Sequence, residues 1–123
     1  MRAVREVRHE AGVAPVWWYR DTPYAIRHGD GPAPDTMAGL RGVAVAAGAA
    51  MERKAAAACA YRSQVGFQFG GEAGAAAALH GFARDEAARA RASGKAVVGD
   101  AAERFLCAAG DRGALGTAMR GAA

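Results

Sequence analysis

The chain has 123 residues, room for one hydrophobic core, and a formal charge of +4. Its 52% hydrophobic content overstates that core, because only 7% is aromatic and much of the rest is Ala, which buries little area per residue. The basic residues form no block of like charges, no aromatic-interleaved stretch and no zinc-finger or helix-turn-helix spacing, which argues against a nucleic-acid partner, and no run approaches the ~18 apolar residues of a membrane span. Cys59 and Cys107 lie far apart with no second Cys or His at ligand spacing, so they read as free thiols. The opening residues carry charge where a signal peptide needs an apolar run. The expectation is a cytoplasmic protein.

Val4, Val7 and Ala11 recur at helical spacing up to Gly12, predicting a short amphipathic helix that starts with no capping residue before it. Such a start suggests that something upstream is missing. After Pro15, Val16-Trp17-Trp18-Tyr19 is apolar or aromatic on both alternating faces, the pattern of a strand in a parallel sheet covered by helices on both sides. Residues 20–34 are rich in Gly, Pro and Asp and predict a long loop leaving that strand at its ligand-binding end.

Val43 and Val45 alternate within 40–47 and suggest a second strand. An Ala-rich helix is expected over 51–62, with Ala55, Ala58, Cys59 and Arg62 as one stripe. Gly70-Gly71 interrupts. A longer helix then runs over 72–92, with Ala75, Ala76, Leu79, Phe82 and Ala83 as its apolar face and Asp85 and Arg89 on its exposed side. Val97-Val98 suggests a third short strand, and Asp100 followed by Glu103 has the spacing of a capping box for a brief helix through Leu106.

The large apolar clusters at 16–19, 65–69, Leu79 with Phe82, and Phe105 with Leu106 should mark the core. A strand apolar on both faces needs neighbours that two or three short strands do not supply. The chain therefore reads as an incomplete α/β domain over 1–109 with a flexible tail over 110–123. A partner chain or self-association through an exposed sheet edge would complete it.

Four ordered segments carry a resemblance. Val16 to Arg27 looks like an aromatic strand running into a Y-E-D-x-P-Y sequence, with Arg20 in place of the Glu. Glu52-Arg53-Lys54-Ala55 through Tyr61-Arg62-Ser63-Gln64 resembles a helix opened by a Lys and closed by Y-x-S-Q. Phe67-Gln68-Phe69-Gly70-Gly71 and Ala102-Glu103-Arg104-Phe105 follow in order. Together they resemble the C-terminal portion of the PIG-L (LmbE-like) family of zinc-dependent N-deacetylases.

The resemblance implies a Rossmann-like layered fold with a mostly parallel sheet. It also implies hydrolysis of the N-acetyl group of a glucosamine-type conjugate, with zinc activating water and polarising the amide carbonyl. The H-P-D-D and H-x-x-H segments that hold zinc in that family are absent from this sequence, so the chain alone is expected to bind no catalytic zinc and to be inactive. His9, His28 and His80 read as surface or loop histidines, and Ser63 lacks the His and Asp pattern of a nucleophile.

The candidate substrate-binding residues are Tyr19, Asp21, Tyr24, Arg62 and Gln64. Asp21 reads equally as a ligand-facing carboxylate or as a clamp on its own turn. For Arg62 and Gln64 the plainer role is to satisfy the last carbonyls of a helix. The competing functional class is a non-catalytic interaction module that completes another protein's sheet.

Overall fold

The computed structural model describes residues 16–29 and 38–108. The helix expected before Gly12 and the tail from 110 lie outside them. In chain order the elements are β1 (Trp18–Tyr19), α1 (Tyr24–His28), β2 (Arg41–Ala46), a 3-10 turn (Gly48–Ala50), α2 (Met51–Cys59), α3 (Arg62–Phe69), α4 (Glu72–Ala92) and β3 (Ala102–Cys107). The chain divides into two units, and Tyr19–Gly29 with Ala44–Arg104 forms the larger one. It contains all five helical segments described here.

The strands form a three-stranded sheet in the order β1-β3-β2. It is antiparallel, which overturns the expected mostly parallel, Rossmann-like sheet. The local reason lies at one end of the β2-β3 pair. Ala47, which leaves β2, donates its N–H to the carbonyl of Ala101, which enters β3, at 3.0 Å. The exit of one strand thus sits beside the entry of the next, as an antiparallel pair requires. The three helices between them return the chain to the end it left instead of carrying it across the sheet.

Several local expectations change with this. Residues 102–107 form the central strand, not a capped helix: Ala101 and Ala102 are buried, and Glu103 is paired across to Lys54 instead of turning back on its own backbone. Val97-Val98 forms no strand, and Val98 is exposed. The Trp-rich strand shrinks to two residues, with Tyr19 66% exposed, so it is not covered on both faces. The helix expected over 51–62 stops at Cys59, because Tyr61 takes a non-helical ψ of 62°. A new helix begins there, with Gln64 and Val65 donating to the Tyr61 carbonyl. Of the apolar cluster at 65–69 only Val65 is buried, and Phe67 is 79% exposed.

The core is built mostly from small residues. Ala47, Met51, Ala55, Leu79, Ala83 and Ala101 pack as one cluster, with Ala58 and Ala76 against it. Among the described residues of this cluster Met51 and Leu79 are the only large side chains, so most of the apolar area gained there comes from close approach of α2 and α4. Of the apolar face expected on α4, Ala75, Leu79 and Ala83 are buried and Ala76 and Phe82 are partly so, and the buried stripe continues through Glu86, Ala87 and Ala90. Gly70 closes α3 in the left-handed region at φ 74°, and its N–H bonds the Gly66 carbonyl.

The turn between α3 and α4 is tight at one point. A Cβ on Gly74 would stand 2.0 Å from the Phe69 carbonyl oxygen, whereas one on Gly81 in the same helix meets nothing within 4 Å. Gly74→Ala is therefore expected to cost about 1–3 kcal/mol through the backbone shift it forces. Gly81→Ala should stabilise by roughly 0.5–1 kcal/mol through helix propensity. Chemical denaturation of both variants checks this opposition of sign.

Candidate functional site

A cavity of about 390 Å³ opens within the larger unit. Each wall comes from a different element. Thr22 and Pro23 enter from the turn after β1, and Leu79 from α4. On α2, Lys54, Ala57 and Ala58 share a face at i, i+3 and i+4 spacing, and Tyr61 continues it at i+7. The restart of the helix at Arg62 lets Gln64, Val65, Gln68 and Phe69 line the next side. A single continuous helix over 51–69 would have pointed these residues elsewhere. The break at Ala60-Tyr61 is thus what shapes the cavity.

Two polar contacts brace it. Lys54 Nζ donates to Glu103 Oε1 at 2.5 Å, tying α2 to β3. Arg27 Nη2 donates to the Gln68 carbonyl at 2.6 Å, tying α1 to the end of α3. Lys54, Tyr61, Gln64, Gln68 and Thr22 give the lining its polar groups, while Pro23, Val65, Phe69 and Leu79 are apolar. A concave, mostly apolar site with a few convergent polar groups has the size and character of a small-molecule site.

Of the five residues singled out from sequence, Gln64 lines the cavity. Asp21, Tyr19, Tyr24 and Arg62 are exposed and do not. The Asp21 main-chain carbonyl accepts from Ala25 N–H at 2.7 Å, starting α1. Arg62 and Gln64 open a helix instead of closing one. Lys54, Tyr61 and Gln68, quoted above only as parts of motifs, are lining residues. The i, i+3, i+4, i+7 spacing of Lys54, Ala57, Ala58 and Tyr61 was the signal for that face.

A second feature is a buried charge cluster centred on α4. Glu86 on α4 is only 1% exposed. Its Oε1 accepts from Arg20 Nη1 at 2.5 Å, and Arg104 Nε lies 3.5 Å from its Oε2. The Arg20 guanidinium also sits 5.1 Å from the centre of the Phe82 ring, a cation–π arrangement. Arg20, the one departure from the Y-E-D-x-P-Y pattern, is thus held by charge and by an aromatic face. The sequence contained a signal for Glu86: it falls between Ala83 and Ala90 on the buried stripe of α4.

A catalytic zinc needs three protein ligands. Among the described residues no three His, Cys, Asp or Glu side chains cluster. His28 is exposed at the end of α1, His80 Nε2 lies 3.4 Å from Glu52 Oε1, and His9 is outside the described residues. The described residues do not fit the metal. Among them, too, no helix is long and apolar enough to cross a membrane. No protein family, curated protein or solved structure matches the chain.

Proposed function

We propose that the chain supplies a substrate-binding wall of a PIG-L-like N-deacetylase, receiving an N-acetylglucosaminyl-type conjugate in the cavity and carrying out no hydrolysis by itself. One observation supports this above the others. Three of the four segments of the resemblance contribute to this cavity: Thr22 and Pro23 from the first, Lys54, Tyr61 and Gln64 from the second, and Gln68 and Phe69 from the neighbouring third. Glu103 from the fourth holds Lys54. The proposal concerns the site and does not extend to a parallel-sheet architecture.

Titration of the full chain with methyl N-acetylglucosaminide, followed by amide chemical shifts, tests it. Shifts should move at Thr22, Tyr61 and Gln64, with no acetate released. Shifts confined to residues away from the cavity would sink the proposal.

The order of the sheet favours one further role. Among the described residues β2 is an edge strand, and a second chain adding a strand there would use its free backbone groups. Sedimentation of the full chain over a range of concentrations reads this out directly.

A further inference from the structure

We infer that the floor of the cavity receives a compact hydrocarbon ring, so that the conjugates it favours carry an apolar aglycone and keep their polar part at the mouth. This rests on the reading of the cavity as a conjugate site and goes beyond it, because neither the sugar nor its N-acetyl group decides what the floor accepts.

The lining residues sort by depth. Leu79 is 3% exposed and Val65 8%, and Pro23 is buried with them. Ala58 and Phe69 are half-buried. Tyr61, at 71% exposed, and Gln64 stand on the solvent side, with Ala57 beside them. The three deepest side chains are therefore hydrocarbon, and the two most open polar ones lie outward.

That gradient decides which end of a ligand goes in. A hydroxyl set against Leu79, Val65 and Pro23 gives up its hydrogen bonds to water and meets no side-chain partner in return. Hydrocarbon set there only leaves water, which is favourable. Two of the intermediate polar residues change little in this balance. Lys54 is already paired with Glu103 at 2.5 Å, and Gln68 Oε1 is closed off from solvent. A polar group held at the mouth instead meets the Tyr61 hydroxyl and the Gln64 amide, both of which donate and accept.

Size and shape favour a ring. The cavity of about 390 Å³ has walls from α2, α3, α4 and the turn after β1, so it is bounded on several sides. An apolar cavity of roughly 150 Å³ is enough to hold benzene. A six-membered ring therefore fits with space left for its linkage at the mouth, and Phe69 adds aromatic area to pack against it.

The test uses three N-acetylglucosaminides that differ only in the aglycone: methyl, cyclohexyl, and the same six-carbon ring bearing hydroxyls. Titration of the full chain, followed by amide chemical shifts, should show the cyclohexyl compound binding about tenfold or more tightly than the methyl one, as expected if roughly 60 Å² of further ring surface leaves water. It should also move the amides of Ala58, Val65 and Leu79. The hydroxylated ring should gain nothing over methyl. Val65→Thr, nearly the same shape with a hydroxyl on the floor, should narrow the cyclohexyl gain, its fold checked by its thermal transition. Equal binding of the methyl and cyclohexyl compounds to wild type, or tighter binding of the hydroxylated ring, overturns the inference and leaves the conjugate site standing. A cyclohexyl glucoside without the acetamido group that binds as tightly as its N-acetyl counterpart upholds the inference and removes the sugar specificity from the proposed function. If none of the compounds shifts the cavity residues, both fall.

Discussion

Replacing Glu86 with Ala is expected to lower the free energy of unfolding by about 3–5 kcal/mol, the usual cost of removing one partner from a buried ion pair. The carboxylate is 1% exposed and Arg20 opposite it is 17% exposed, so water enters poorly where the charge is lost. Phe82 offers the guanidinium a ring face, which does not replace the carboxylate's charge. Arg104, one-third exposed, can turn toward solvent and loses less. The pair itself need not be a net source of stability, because both charges were desolvated to make it. The double variant Arg20→Met with Glu86→Leu should therefore lie within about 1–2 kcal/mol of wild type. Urea denaturation of the two single variants and the double variant gives the coupling. A loss below about 1 kcal/mol in Glu86→Ala would show that the cluster is not the structural joint described here.

Leu79→Ala should cost about 2–5 kcal/mol, since it deletes one of the two large side chains among the described residues of a cluster otherwise made of alanine. The small neighbours Ala55, Ala83 and Ala101 have no reach with which to refill the space, which places the expected value in the upper part of that range. Leu79 also lines the cavity, so the truncation would enlarge it and weaken any ligand packed there. Phe67→Ala is the matched control. Although it removes a larger side chain, the ring is 79% exposed, and the change should stay within about 0.5 kcal/mol. Comparable losses in the two variants, measured by thermal or urea denaturation, would contradict the assignment of the core.

These two residues also mark how far the sequence could be read. Leu79 was visible because α4 is long and its apolar positions repeat with the helical period up to the Gly70-Gly71 boundary. Glu86 occupies the same stripe, and the charges that meet its buried carboxylate come from Arg20, 66 residues away, and from Arg104 on β3. Nothing local to either residue announces that meeting. The Phe67 side chain shows the reverse error: its aromatic character suggested core, and its place on α3 turns it outward.

The sequence by itself determined the elements whose signal is local: α4 from its 3.6-residue stripe, β2 from the alternation of Val43 and Val45, and the breaks at the glycine pair and around Ser93-Gly94. It also singled out the motif segments that line the cavity. Tertiary structure decided the rest. The direction of β3 depends on where three helices return the chain, and residues 102–107 became a strand because the place between β1 and β2 offers hydrogen bonds that an isolated helical turn cannot match. The break at Tyr61 likewise acquires its meaning only when α2 and α3 stand on two sides of one hollow. Periodicity is carried by neighbours in sequence, whereas strand direction and buried charge pairing depend on residues that only folding brings together.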